Sequence, residues 1–315
     1  MNGACEMKAG RLGLALGSGS ARGLAHIGVL KVLDREGFPI DMIAGTSIGA
    51  VIGGAYAAGM TPQEMERIAL SVDIRRLVSL ADIARPTTAL VNGERVEEFI
   101  RDVVGGKTFA DTRTPFSCVA VDVIGEREVV LCEGDLARAI RASLSTPVIF
   151  APVEREGRLL VDGGVLNSVP VDVVRDMGAD VVVAVTNLGI PRSKVPIFSN
   201  NRHGESTAVG RVETKGFTEI VYSRALTAIM DRLRSPSIYQ LAAGSVDLMQ
   251  RELSERRLGA ADLVIAPQID GAAYYSFHEA ERIIAAGEMA AEAAVGEIER
   301  LLAARPITLA DREGR

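Results

Sequence analysis

Residues 41–57, DMIAGTSIGAVIGGAYA, decide how the fold of this chain is interpreted. A short apolar run leads into residues 45–49, GTSIG, and a stretch of small residues with helical character follows. G-x-S-x-G between a strand and a helix is the pattern of a nucleophile elbow, in which a serine hydroxyl projects from a sharp, strained turn. Gly45 and Gly49 provide the small flanking residues that let strand and helix approach closely. The stretch therefore predicts a strand, a turn at Ser47 and a slim helix directly behind it.

A second glycine-rich turn lies nearer the N-terminus. The predicted first strand, Arg11–Leu16, runs into residues 17–23, GSGSARG, and a helix is predicted over Leu24–Glu36. Such a turn binds anions, because free amides and the helix dipole converge there. It fits either a dinucleotide pyrophosphate or an oxyanion formed by a nucleophile elsewhere. A dinucleotide site needs an acidic residue at the end of the next strand, but that strand ends at Ser47. The oxyanion interpretation is therefore favoured.

Strands and helices alternate along the chain without internal repeats, which predicts an α/β protein with a mainly parallel central sheet and helices on both faces. Residues 180–186, DVVVAVT, have the composition of a buried parallel strand. The further predicted strands are Phe116–Val123, Glu128–Leu131, Val148–Val153, Arg158–Val161 and Ala261–Pro267. The further predicted helices are residues 61–69, 93–104, 135–144, 170–177, 214–234 and 278–304.

The length of 315 residues allows one large domain. We expect an N-terminal tail over residues 1–10, a single domain over residues 11–304 and a C-terminal tail over residues 305–315. Residues 189–213 show no hydrophobic period, and a stretch of that length is usually a functional lid or a disordered loop.

Charge and composition exclude several classes of function. A net charge of −6 and a pI near 5.3 argue against nucleic acid as a partner. Neither a signal-peptide core nor an apolar stretch of about 20 residues is present, so we predict a cytoplasmic protein. The three cysteines lie far apart, without metal-ligand spacing, and we predict neither a metal nor another cofactor.

A serine nucleophile needs a base within hydrogen-bonding distance, and histidine usually provides it. Neither His203, in the predicted lid, nor His278, at the start of the last helix, occupies the usual place of such a base; His26 is most simply a helix-packing side chain. Asp162 is the better candidate, because it follows a predicted strand and precedes two glycines that would leave its carboxylate accessible. The alternative is that Asp162 only caps a turn.

Four segments together resemble the bacterial patatin-like phospholipases. They are LALGSGSARGLAHIGVL (residues 14–30), AGTSIGAV (44–51), STPVIFAPV (145–153) and LLVDGGVLNSVPVDVV (159–174). The segments come in the order and spacing of that family, and the resemblance spans about residues 12–187. It implies a three-layer α/β/α fold and a serine–aspartate dyad that works without histidine.

Transferred to this sequence, the resemblance implies that Ser47 is the nucleophile and Asp162 the base. The amides of Gly19, Ser20 and Ile48 would then stabilise the oxyanion. The further residues of the family motifs are Gly17, Ser18, Arg22, Gly23, Gly45, Gly49, Gly163 and Gly164. The sequence departs from the family at Ser18 and Ser20, where glycines are usual, and a serine at position 20 would be strained if φ is positive there.

The resemblance therefore implies a lipid acyl hydrolase (a phospholipase, lysophospholipase or esterase) with an acyl-ester substrate and transient contact with a membrane surface. The amphipathic stretch 214–234 either covers the sheet or docks on lipid, and the covering role is favoured. Two alternatives stay open. One is a regulatory protein with an impaired site, supported by Ser18 and Ser20. The other is an acyltransferase, which would want a histidine base.

Overall fold

The computed structural model describes residues 10–71, 89, 91–187, 238–269, 271–272 and 276–305. In these ranges the strands are β1 (Leu12–Leu16), β2 (Ile40–Thr46), β3 (Phe116–Asp122), β4 (Arg127–Leu131), β5 (Val153–Arg155), β6 (Arg158–Asp162), β7 (Val181–Val185) and β8 (Leu263–Ile265). The α-helices are α1 (Ala25–Arg35), α2 (Ile48–Ala57), α3 (Pro62–Ser71), α4 (Glu94–Val103), α5 (Leu136–Ser143), α6 (Val171–Asp176), α7 (Ile238–Leu258) and α8 (Ala280–Ala304).

One sheet contains all of these strands. Its order is β5-β6-β3-β2-β1-β7-β8, and β4 pairs with β3 outside that path. The run β3-β2-β1-β7-β8 is parallel throughout, whereas β4, β5 and β6 pair antiparallel. The predicted α/β class with a mainly parallel central sheet is confirmed.

Helices cover both faces of the sheet, as predicted. Alternate residues of β1 point to opposite sides, because side chains alternate along a strand. Leu14 packs into a large core with α1, α2, α5 and α8, whereas Ala15 packs into a smaller core with α6 and the end of α7. The result is a three-layer α/β/α arrangement whose central strands are buried on both faces.

The two strands that lead to the predicted dyad share one edge of β3. β4 pairs with Cys118–Asp122 and so occupies the other edge over that range. On the shared edge β2 runs parallel to β3 and ends with Thr46 opposite Val119, while β6 runs antiparallel and ends with Asp162 opposite Ala120. The two strands point toward each other because they run in opposite directions along β3. Their last residues pair with neighbouring residues of β3, so the residue after Thr46 lies close to Asp162.

Side-chain hydrogen bonds mark the starts of two helices. Thr61 and Glu64 form a capping box at α3, with Thr61 N donating to Glu64 Oε2 at 2.9 Å. Asp135 caps α5 by accepting from Arg138 N at 2.8 Å. A hairpin joins β3 to β4.

Other predictions are wrong. No strand covers residues 148–152, because the amides of Ile149 and Phe150 both donate to Thr146 O and form a turn, in which Val148 has φ +74°. The helix predicted over Leu24–Glu36 is confirmed as α1, and an unpredicted 3₁₀ turn over Ser20–Leu24 precedes it. Helix α7 was not predicted at all.

The predicted lid over residues 189–213, the predicted helix 214–234, His203 and most of both predicted tails lie outside the described residues. Within the described ranges, none of the helices combines the length and apolar character that crossing a bilayer requires.

Candidate active site

Ser47 lies in a strained turn between β2 and α2. Its backbone angles are φ 56° and ψ −121°, a conformation that non-glycine residues rarely adopt. Its amide donates to Ser143 Oγ at 2.9 Å. A methyl group on Gly45 would lie 2.5 Å from Gly49 O, and one on Gly49 would lie 2.1 Å from Leu16 O. The glycines of the G-x-S-x-G pattern are therefore required by close packing of backbone against backbone.

The Ser47 hydroxyl is bonded to the carboxylate of Asp162. Ser47 Oγ donates to Asp162 Oδ2 at 2.8 Å, and Thr146 Oγ1 donates to the same oxygen at 2.8 Å. Gly164 N donates to the other oxygen, Oδ1, also at 2.8 Å. The prediction that the two glycines leave this carboxylate accessible is wrong, since Asp162 is only 1% exposed. Gly163 serves close packing, because a methyl group there would lie 2.2 Å from Val119 O.

Burial controls the acidity of Asp162. Removal from water raises the pKa of its carboxyl, because the charged form loses solvation. The hydrogen bonds from Gly164, Thr146 and Ser47 act in the opposite direction and hold the carboxylate in place. A carboxylate with a raised pKa accepts a proton more readily than an ordinary aspartate does.

The glycine-rich loop lies beside the start of α2. Gly23 leaves room for the side chain of Ile48, which a methyl group on Gly23 would approach to 2.1 Å. Gly19 has φ +143° and Ser20 has φ +51°, so the position at which the sequence departs from the resembled family does need a positive φ. Arg22 is buried and its Nε donates to Gly19 O at 3.3 Å.

Three backbone amides of this region have no acceptor within the described part of the chain. They belong to Gly19, Ser20 and Ile48, the residues that the sequence predicts for an oxyanion hole. Free amides at the start of a helix favour a negative charge nearby. The loop and the elbow together can therefore supply donors to an anionic oxygen.

His26 does more than pack in a helix. It is fully buried, and Nε2 lies 2.8 Å from Gly17 O at the start of the glycine-rich loop. Burial lowers the pKa of its imidazole to about 4, although the bond to Gly17 acts the other way. His26 is therefore neutral at physiological pH and supports the loop. His278 is exposed, beside Glu279.

Sequence reasoning missed Gln250 on α7. Ser18 Oγ donates to Gln250 Oε1 at 3.1 Å, and a methyl group on Gly164 would lie 2.4 Å from Gln250 Nε2. Gln250 thus touches both the glycine-rich loop and the turn after Asp162. Its only sequence signal is a polar residue inside a stretch of helix formers, which is too weak to find it.

No group of three or more histidine, cysteine or acidic side chains in the described ranges has the arrangement of a metal site.

A sequence model described as patatin-like phospholipase matches residues 14–175, about half of the chain. The chain belongs to this family. The match contains the glycine-rich loop, Ser47, Thr146 and Asp162, and it confirms the resemblance that the four segments indicated.

Curated relatives of this patatin-like protein include two uncharacterized NTE family proteins of Mycobacterium tuberculosis. One is 40% identical over 176 residues, covering 56% of this chain and 49% of the relative. The other is 31% identical over 288 residues, covering 91% of this chain and 47% of the relative. The human patatin-like phospholipase domain-containing protein 6 is 37% identical over 180 residues, covering 55% of this chain and 13% of that protein. The chain thus spans half or less of these relatives' lengths.

Proposed function

We propose that this protein hydrolyses acyl esters of lipids with a Ser47–Asp162 dyad. The observation that carries the proposal is the 2.8 Å bond from Ser47 Oγ to the buried carboxylate of Asp162, in a family described as patatin-like phospholipases. A nucleophile held against a base with a raised pKa is the arrangement that acyl transfer to a serine requires.

Each step follows from the positions of these groups. Asp162 Oδ2 takes the proton of Ser47 Oγ while Oγ attacks the acyl carbonyl carbon. The amides of Gly19, Ser20 and Ile48 donate to the oxyanion of the tetrahedral intermediate. Asp162 then gives the proton to the departing alcohol, which leaves the acyl group on Ser47. Asp162 then deprotonates a water that attacks the carbonyl carbon of the acyl-serine, and it returns this proton to Ser47 Oγ as the bond to the acyl group breaks and the fatty acid leaves.

The presence of an apolar groove favours a substrate that contains an acyl chain. It has a volume of about 500 Å³ and is lined by Val148, Phe150, Leu159, Val161, Val165 and Leu166, among others that include Asp122 and Glu126. Pro147 and Val148 follow Thr146, and Val165 and Leu166 follow Gly164. Two of the three residues that bond the Asp162 carboxylate, Thr146 and Gly164, are therefore followed directly by residues that line the groove.

A fluorophosphonate probe tests the nucleophile, together with hydrolysis of p-nitrophenyl esters and a panel of phospholipids. The wild type should be labelled and Ser47→Ala should not. Ser71→Ala is the control, because it removes an exposed serine hydroxyl that bonds Ile68 O, away from the dyad. Equal labelling of wild type and Ser47→Ala would remove Ser47 as the nucleophile.

A second set of variants tests the base. Asp162→Asn preserves the shape of the side chain and should lose at least ~100-fold in rate, the usual contribution of a positioned general base. Replacing His26, His203 and His278 together by Gln should leave the rate within about tenfold, or ~1.4 kcal/mol of barrier. Circular dichroism confirms that each variant is folded. A folded but inactive triple-histidine variant, with active Asp162→Asn, would contradict the dyad.

Cytoplasmic location and transient contact with a membrane surface stay predictions. Co-sedimentation of the wild type with phospholipid vesicles tests the contact.

A further inference from the structure

Gln250 connects the two halves of the proposed site. It lies on α7 and is 5% exposed. Its Oε1 accepts from Ser18 Oγ in the glycine-rich loop, and its Nε2 borders Gly164 in the turn after Asp162. A methyl group on Gly164 would also lie 3.1 Å from Asp162 Oδ1, so the Gln250 amide and the Asp162 carboxylate both lie close to Gly164.

Two serine hydroxyl groups bond the backbone of α7 at Gln250. Ser168 Oγ donates to the main-chain oxygen of Gln250 at 3.1 Å, and Ser254 Oγ donates to it at 2.6 Å. Ser18 N in turn donates to Ser168 O at 2.8 Å. The backbone under the Gln250 side chain is therefore fixed relative to the glycine-rich loop.

The Ser18 hydroxyl bonds one end of the Gln250 amide. A carboxamide has one acceptor end and one donor end, and Ser18 occupies the acceptor end. The donor end, Nε2, is left facing Gly164. Within the described residues Nε2 donates to no acceptor. It is also not completely buried. Gln250 thus places an unpartnered neutral donor beside the turn that follows Asp162.

We propose that Gln250 Nε2 binds an oxygen on the alcohol side of the substrate, in an acyl ester of glycerol or of a glycerophospholipid. This inference rests on the proposed function. The acyl chain beyond the ester carries no acceptor, and the apolar groove already suits it. A buried amide donor is therefore useful only to the polar part of the substrate. Gln250 is a specificity-determining residue, and Ser18 is the residue that positions it.

Three esters with the same acyl chain test this assignment: phenyl octanoate, 1-octanoylglycerol and octanoyl lysophosphatidylcholine. Phenyl octanoate has no oxygen on its alcohol side beyond the ester itself. Gln250→Met, which preserves length and removes the donor, should lower kcat/KM about tenfold for the glycerol-based esters and leave phenyl octanoate within about twofold. A loss on both glycerol-based esters identifies a glycerol oxygen as the acceptor. A loss on the lysophospholipid alone identifies a phosphate oxygen.

Ser18 provides the second part of the test. Ser18→Ala should show a smaller loss with the same substrate pattern, and Ser18→Ala/Gln250→Met should be no worse than Gln250→Met alone, because the serine acts through the glutamine. Leu248→Ala, an exposed change on the same helix, is the control and should match the wild type.

Equal losses on all three esters, or no loss on any, would overturn the assignment of Gln250. A wild type that hydrolyses none of the three and resists a fluorophosphonate would overturn the proposed function and this inference with it. An active wild type with an unchanged Gln250→Met variant overturns this inference alone.

Discussion

His26 and Gly17 are joined by a contact of 2.8 Å between imidazole Nε2 and the backbone oxygen, so a side chain of α1 supports the loop that precedes the helix. The imidazole is fully buried and neutral. A neutral Nε2–H can donate to this carbonyl without the cost of placing a charge in the core.

Protonation of His26 should couple folding to pH. The pKa of His26 is about 4 in the folded protein and 6.5 in an unfolded chain. Between these values only the unfolded state takes up the proton, so the free energy of unfolding should fall as pH decreases from 6.5 to 4 and level off below. The contribution lost is about 3 kcal/mol. Urea unfolding across this range should show that slope in the wild type and a weaker one in His26→Gln. His278→Gln, at an exposed position, should follow the wild type; parallel curves for all three proteins would contradict the coupling.

Thr146 should set the pH range in which Asp162 works as a base. Its hydroxyl donates to Asp162 Oδ2 and so opposes the rise in pKa caused by burial. Thr146→Val removes that donor, and the pKa of Asp162 should rise further. Because the base must be deprotonated, kcat/KM falls as pH drops through this pKa, and the acid limb should move to higher pH in the variant. Thr112→Val, whose hydroxyl bonds Phe109 O instead, should leave the limb in place. A shift to lower pH would show that the bond does not act on the ionised form.

Ser20 should be replaceable by glycine with a gain in stability. Its φ of +51° is unfavourable for a side chain, and glycine removes that cost while it adds entropy to the unfolded state. Ser20→Gly should gain about 0.5–1 kcal/mol, measured by thermal unfolding, and keep ester hydrolysis within about threefold because the amide remains. Glu156→Gly, at a turn with φ +53°, is the matched control and should gain stability without any change in rate. A destabilised Ser20→Gly would mean that the hydroxyl makes a contact more valuable than the relief of strain.

Gly49 should not tolerate a side chain. A methyl group there would lie 2.1 Å from the backbone oxygen of Leu16, which cannot move without displacing β1. Gly49→Ala should therefore lose at least ~2 kcal/mol in urea unfolding. Gly296→Ala, in α8 with open space around it, should instead gain about 0.5–1 kcal/mol from higher helix propensity. Equal effects at the two glycines would show that backbone contact at Gly49 does not limit the packing of α2.

Much of the fold could be predicted because its central strands are short apolar runs and its outer helices carry apolar stripes. Asp180–Thr186 and the stretch leading to Ser47 are examples, and the structure shows strands in both places. The positions of Ser47 and Asp162 could be predicted because each lies in a tight glycine turn after a strand.

Helix α7 could not be predicted for the opposite reason. Its buried contacts are made by polar side chains: Gln250 bonds Ser18 of the glycine-rich loop and Ser254 bonds Ser168, while Leu248 and Met249 are exposed. Hydrophobic periodicity locates a helix only where its buried face is apolar. The prediction of a strand at residues 148–150 is wrong for a different reason. They are apolar like a strand, but two of their amides bond back to Thr146.

The convergence of β2 and β6 on one edge of β3 determines when the candidate site can form during synthesis. Ser47 and Asp162 are separated by 115 residues, and Ser18 and Gln250 by 232. Contacts this distant in sequence form late, because the chain between them must be closed first. In the proposed mechanism, a nascent chain that extends only as far as α2 contains Ser47 but lacks its base. It gains the base only with β6, and Gln250 only with α7. If Ser47 and Asp162 form the proposed dyad, the chain should therefore be inactive until β6 has been synthesised and has paired with β3.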